Sequence, residues 1–271
     1  MHDSGYLAVR LARQIISSSP AVFACLLLAT LLALGPLAHG QVIEVPAPKK
    51  SWLSSSEPTK TLYRATPDSQ GVLVFIPGGY GQVSLRTDRV YGPQAWGHLQ
   101  FFADMRSRAR MDLVLMDSPY VVQPSARWGG DHVDRIRSVV EAYRQRLGKP
   151  IYLYGHSLGG TAVSGFLKEA ENEKLIEGAI FSAAQTPKVS REIHIPILVL
   201  HNTEDACSYT PASTSKTFFE EVRKINSART ELRLLSGGSN LGDVCTGAQS
   251  THAYFGIYPQ LTQALDDFLL P

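Results

Sequence analysis

An α/β architecture, a mostly parallel twisted sheet with helices on both faces, is what this 271-residue sequence predicts. Two observations carry that expectation. Short apolar runs of strand length, among them Val72–Ile76, Met111–Met116, Ile151–Tyr154 and Gly178–Ala183, alternate with longer segments whose apolar residues recur at helical spacing. The run Ile151–Tyr154 also passes straight into Gly155-His-Ser-Leu-Gly159 and then into a helix-like segment from about Leu158 to Glu169, so a strand, a tight turn and a helix follow one another without a gap. Composition suits one globular domain with a substantial core: 44% of the residues are hydrophobic and 18% charged. A formal charge of +2 leaves no electrostatic footprint for nucleic acid. There is no internal repeat and no cluster of His, Cys and carboxylates at metal-ligand spacing, so neither a metal nor a cofactor is expected.

The turn at Ser157 has the form G-x-S-x-G, and its chemistry explains its spacing. A serine hydroxyl is a weak nucleophile and must stand clear of the backbone where a base can reach it. A sharp turn achieves this but crowds its neighbours; glycines two before and two after relieve the crowding, and Gly160 lets the helix pack closely on the sheet. An ordinary strand-to-helix turn with a capping serine is the competing reading. In its strand–turn–helix setting the motif resembles the nucleophile elbow of the α/β-hydrolase superfamily. The resemblance covers almost the whole chain from about Leu62 onward at the level of element order. It implies an α/β-hydrolase fold with the active site at the carboxyl ends of the strands.

Taken in order, the first forty residues stand apart. Arg10 and Arg13 precede an apolar run from Ala21 to Leu34, Gly35-Pro36 breaks it, and Ala38-His39-Gly40 offers small residues before a cleavage point. Residues 1–40 are expected to be an export signal cleaved after Gly40, with an uncleaved anchor as the alternative; the run is short against the roughly 20 apolar residues a span needs. The protein is then expected to be exported, periplasmic or secreted, without stable membrane insertion after cleavage. Residues 41–60, rich in Pro, Ser and Lys, read as a flexible leader into a domain over 61–271.

Leu62–Ala65 and Val72–Ile76 read as strands around the turn Pro67-Asp-Ser-Gln-Gly71. The second leads into Pro77-Gly-Gly-Tyr-Gly81, either a plain loop or one that turns backbone N–H groups toward a developing oxyanion. It is similar to the superfamily's oxyanion loop, although Pro77 stands where many members have His. That similarity implies Gly79 as one N–H donor, Tyr80 as the fallback and Leu158 as the second donor. Gln94–Ala109 reads as a helix and Met111–Met116 as a strand. Ser118–Gly130 is a loop whose Pro119, Tyr120 and Trp128 either line a cleft or pack locally. Asp131 opens a helix to Leu147, with Asp131 as N-cap and Asp134 completing a capping-box-like pair. Its buried face is Ile136, Val139, Val140, Tyr143 and Leu147, and Gly148-Lys-Pro150 stops it. Asp131, His132 and Asp134 are read as structural.

Gly178–Ala183 and Ile195–His201 are the next strands. The dozen or so residues between them leave no room for the large cap domain that many members of the superfamily insert. The loop Asn202-Thr-Glu-Asp-Ala-Cys207 follows, and the resemblance implies Asp205 as the triad acid, with adjacent Glu204 the alternative. A helix from Ser213 or Thr214 carries Phe218, Phe219, Val222 and Ile225 on one face. Glu231–Leu235 is the last strand, a long loop from Ser236 to Tyr258 contains His252, and a helix from about Gln260 to Leu270 follows. His252 stands where the superfamily keeps its histidine and completes the order Ser157, Asp205, His252. His132, His156, His194 and His201 fall in a helix cap, the elbow or strands and make poorer bases. If the acid and histidine loops meet, Cys207 and Cys245 are placed to form a disulfide between them, as an oxidising compartment favours; two separate buried thiols are the alternative. The function so implied is an exported serine hydrolase acting on carboxylic esters of a small-molecule acyl substrate. The alternatives are an amidase or peptidase with the same triad, or a non-catalytic binding protein on the same fold.

Overall fold

A computed structural model describes residues 40–48, 56–86, 89–90 and 110–270. Among these, eight strands form one sheet: β1 (Gln41–Val45), β2 (Thr59–Arg64), β3 (Gly71–Ile76), β6 (Met111–Asp117), β7 (Ile151–His156), β8 (Gly178–Ser182), β9 (Ile197–Asn202) and β10 (Thr230–Leu235), in the spatial order β1-β2-β6-β3-β7-β8-β9-β10. A two-residue pair, β4 (Leu85–Arg86) and β5 (Arg89–Val90), stands apart. From β6 to β10 every neighbouring pair is parallel; β1 and β2 join antiparallel. The helices are α1 (Gly130–Leu147), α2 (Leu158–Leu167), α3 (Ala170–Glu173), α4 (Ala212–Val222) and α5 (Tyr258–Leu269), with a 3-10 turn at Pro124–Trp128.

The central strands are buried along their whole length, which is why they read as continuous apolar runs. Successive side chains go to opposite faces. Val72, Val74 and Ile76 of β3 join a core with α1, α2 and α4, while Leu73 and Phe75 join a second core with α5. Strand β9 divides in the same way, Ile197 and Val199 against Leu198 and Leu200. The sheet's edge strand β10 carries Glu231 and Arg233 toward solvent, charges that discourage further pairing.

Several expectations need adjustment. Gln41–Val45, expected within a flexible leader, is a strand: its register runs from Gln41 opposite Tyr63 to Val45 opposite Thr59, and Val45 is buried. Val42, Ile43 and Val45 supply apolar contacts on which β1 can settle. Asp131 is not the N-cap of α1. Gly129 occupies that position with no side-chain cap, and the Asp131 carboxylate instead accepts from Arg135 Nε at 2.6 Å and from the Tyr120 hydroxyl. An i,i+4 arginine and a neighbouring phenol outcompete the helix's own N–H groups for that carboxylate. The buried face of α1 is Ile136, Val139, Val140 and Tyr143 with Leu147 half-buried, and Gly148 ends the helix in the left-handed region. Phe218 and Val222 bury one face of α4, but Ile225 lies beyond its end and is exposed. The helix expected over Gln94–Ala109 lies outside the described residues. Among the described residues no helix is long and apolar enough to cross a membrane.

Candidate active site

Four loops at the carboxyl ends of parallel strands build the site. Strand β7 delivers Ser157, β3 the Pro77–Gly81 loop, β9 the Asp205 loop and β10 the loop bearing His252. Ser157 sits at φ 53°, ψ −122°, a strained conformation of the order of 1–3 kcal/mol for a residue with a side chain. Its backbone is gripped on both sides. The Ser157 N–H donates to Ser182 O at 2.9 Å, and its carbonyl accepts from Gly160 N at 3.0 Å and Gln185 N at 3.2 Å. The flanking glycines are steric necessities: a Cβ on Gly155 would lie 2.5 Å from Gly159 O, and one on Gly159 would lie 2.0 Å from Ile76 O. Helix α2 starts at Leu158, whose N–H belongs to the first turn and has no intrahelical acceptor.

His252 is buried, and its Nδ1 is 2.8 Å from Asp205 Oδ2. The same carboxylate oxygen accepts from Thr210 Oγ1 at 3.0 Å, and Oδ1 accepts from the Cys207 N–H at 2.8 Å. His201 Nε2 stands 3.3 Å from Oδ2, a contact at the edge of hydrogen-bond range, while its Nδ1 pairs with Ser215 Oγ at 2.7 Å. Burial by itself would raise the Asp205 carboxyl; the imidazoles of His201 and His252 and the Cys207 N–H outweigh it and hold the group well below the usual carboxylate range. Asp205 therefore remains an acceptor. Glu204, the alternative acid, faces Ser236 and Thr203 on the exposed side of the loop.

Three ties hold the acid and histidine loops in register. Cys207 and Cys245 form a disulfide with Cα atoms 4.8 Å apart. Asn202, at the end of β9, donates from Nδ2 to both Gly237 O and Thr251 O at 3.0 Å, linking the acid strand to the residue before His252. Tyr254, two residues beyond His252, donates to Leu200 O at 3.2 Å and accepts from Ser182 Oγ at 3.0 Å. Ser182 Oγ is a hub, also accepting from Tyr154 OH at 2.8 Å and paired with His156 Nδ1 at 3.2 Å. Burial pushes Tyr154 and Tyr254 upward, so both phenols stay protonated as donors. The His156 ring packs on that of His252, centroids 4.6 Å apart.

Ser157 and His252 line one cleft of about 50 Å³, walled by Pro77, Gly78, Gly79, Gln82, Val83 and the segment Cys245–Ala248. Tyr80 points outward and is half exposed. Pro119, Tyr120 and Trp128 are absent from the cleft wall: Tyr120 bonds Asp131 under the Arg135 guanidinium, and the Trp128 backbone packs against Gly165 of α2. Beneath the Pro77 loop lies Arg127, fully buried, which donates to Pro77 O at 3.0 Å, Gly78 O at 3.3 Å and Gly79 O at 2.9 Å. Sequence reasoning passed over Arg127 and Thr210, read His201 only as a poor base, and named Asn202 only as the start of the Asp205 loop.

No protein-family model matches the chain, and neither does any curated protein. Solved structures do. A dienelactone hydrolase from Anabaena variabilis is similar over 85% of this chain and 96% of its own, with a TM-score of 0.55 at 12% identity. An α/β serine hydrolase without a lid from Xanthomonas campestris matches 87% of this chain and 96% of its own, TM-score 0.53 at 16% identity. A cold-adapted esterase from an Arctic intertidal metagenomic library matches 84% and 93%, TM-score 0.52 at 12% identity. The chain has the α/β-hydrolase fold, and no large cap domain occurs among the described residues.

Proposed function

We propose that this protein is an exported serine hydrolase that cleaves carboxylic esters, with Ser157, His252 and Asp205 as nucleophile, base and orienting acid. One observation carries the reading. The Nδ1 side of His252 is engaged by Asp205 at 2.8 Å, so the proton sits there and Nε2 is left as the base, in the cleft that Ser157 also lines. Ser157 attacks the acyl carbon while His252 takes its proton. The tetrahedral oxyanion is held by the N–H groups of Leu158 and Gly79, with Tyr80 as the fallback for the second. His252 then protonates the leaving alcohol, and water repeats the cycle on the acyl-enzyme. Losing one oxyanion donor typically costs about 3–4 kcal/mol.

A cleft of about 50 Å³ favours short acyl groups or ones exposed at the end of a larger molecule. Export is supported by the Cys207–Cys245 disulfide, a bond that persists in oxidising compartments. Treating the purified protein with a fluorophosphonate, beside Ser157→Ala and His252→Ala, tests the reading. Labelling of the wild type and its loss in both variants is the expected result; no labelling of folded, oxidised protein overturns it. Parallel esters and anilides of one acyl group then separate an esterase from an amidase.

A further inference from the structure

We infer that Arg127 is the positioning residue of the oxyanion hole, holding the Pro77–Gly79 peptides so that their N–H groups face the nucleophile. This rests on the hydrolase reading above. The argument begins with the peptide unit. In a planar trans peptide the carbonyl of one residue and the N–H of the next point in opposite directions, and no cis peptide occurs among the described residues. Arg127 Nη2 donates to Gly78 O and Gly79 O. Those two carbonyls share their peptide units with the N–H groups of Gly79 and Tyr80, the two candidate donors. Gripping each carbonyl from below therefore turns each N–H the other way. Among the described residues neither of these N–H groups has a hydrogen-bond acceptor.

The clamp is itself anchored to the nucleophile's helix. Gly165 of α2 lies so close to the turn carrying Arg127 that a Cβ there would sit 2.5 Å from Arg127 O. The turn is thus seated on the helix that begins just after Ser157, and its side chain reaches across to the loop after β3. One residue fixes the two halves of the oxyanion hole relative to each other. The guanidinium is fully buried and has no carboxylate partner among the described residues; its partners are the three carbonyls and His132 Nε2 at 3.3 Å. Burial lowers Arg127 to about 10, which leaves it charged at neutral pH. Burial, with the charges of Arg127 and Arg135 beside it, pushes His132 well below its ordinary range, so His132 is neutral and can accept from Arg127. A cation bonded to the carbonyl end of a peptide also strengthens the N–H at the other end as a donor.

The test compares Arg127→Met and Arg127→Lys with the wild type on a short-chain nitrophenyl ester, with a trifluoromethyl ketone as the oxyanion-forming inhibitor. Arg127→Met is expected to lower kcat about 100-fold with KM changed less than about threefold, and to weaken the ketone in parallel with kcat/KM. Arg127→Lys, which keeps a charge but loses the fork, should recover part of both. Should Arg127→Met fail to fold, Arg127→Lys alone carries the comparison. Variants that fold, yet keep kcat and ketone affinity within about twofold, overturn the inference and leave the hydrolase reading intact. The amide resonances of Gly79 and Tyr80 in the proton–nitrogen spectrum give a readout without turnover. If the wild type neither hydrolyses the ester nor reacts with a fluorophosphonate, the hydrolase reading fails, and these resonances decide the clamp: large shifts in Arg127→Lys support it, unchanged ones overturn it.

Discussion

Replacing Cys207 and Cys245 together by alanine isolates the contribution of the crosslink. The bond closes a 38-residue loop that contains α4 and β10. In the chain-entropy model, releasing such a loop in the unfolded state costs about 13 cal/mol/K, or about 4 kcal/mol at 25 °C. The native state should lose little else. The Cys207 N–H, which donates to Asp205 Oδ1 at 2.8 Å, survives the change to alanine, and so does the Cys245 N–H to Asp243 Oδ1 at 3.0 Å. Against a typical total of about 5–15 kcal/mol the loss is large. Urea unfolding of the oxidised wild type, the reduced wild type and the double variant measures it, and a fall of about 8–16 °C in Tm should accompany it. Turnover at 25 °C should stay within about threefold, because Asn202 and Tyr254 still tie the two loops together. A stability loss under about 1 kcal/mol, or a reduced wild type as stable as the oxidised one, would refute the reasoning.

Other outcomes follow from the same geometry. Asp205→Asn should leave the fold intact but lower kcat by about 10⁴, because an amide neither fixes the imidazole tautomer nor stabilises the imidazolium as the carboxylate does, while Glu204→Gln should stay within about twofold; steady-state kinetics on the pair decides between the two acids. Because the Asp205 carboxyl is held below its usual range, the unfolded chain takes up its proton first, near pH 4, and the folded protein only at lower pH. Its stabilisation is therefore complete above about pH 5 and shrinks as pH falls, so unfolding curves of wild type and Asp205→Asn should converge between about pH 5 and 3; a gap constant across that range would contradict this. Gly159→Ala puts a Cβ 2.0 Å from Ile76 O and 3.1 Å from Pro77 O, backbone atoms that cannot rotate away. It should cost about 3 kcal/mol or more and displace the Ser157 turn from the Pro77 loop, seen as a lowered urea midpoint together with lost fluorophosphonate labelling.

The sequence by itself determined the layered α/β fold and the places of its central strands along the chain, because buried parallel strands must be apolar on both faces and stand out as unbroken runs. It also singled out Ser157, Asp205 and His252 as candidates for a triad, and Cys207 and Cys245 as candidates for the disulfide that the structure contains. Gly155, Ser157 and Gly159 carry a local signature set by backbone crowding, while Asp205 and His252 were reached only through the resemblance to the α/β-hydrolase superfamily, which implies an acid and a histidine on those two loops. What surrounds these three residues was decided only by tertiary structure. Arg127 looks like any loop arginine until three carbonyls from fifty residues upstream close around it. Thr210, His201 and Asn202 meet Asp205 and the His252 loop through side-chain contacts with no periodicity to read. Asp131 fits a helix cap by spacing, yet Arg135 and Tyr120 take its carboxylate. Gln41–Val45 is a strand because β2 offers an edge and the core accepts Val45. A local pattern records what a segment does to its own backbone; which polar partner a side chain finds depends on segments the chain brings beside it from far away.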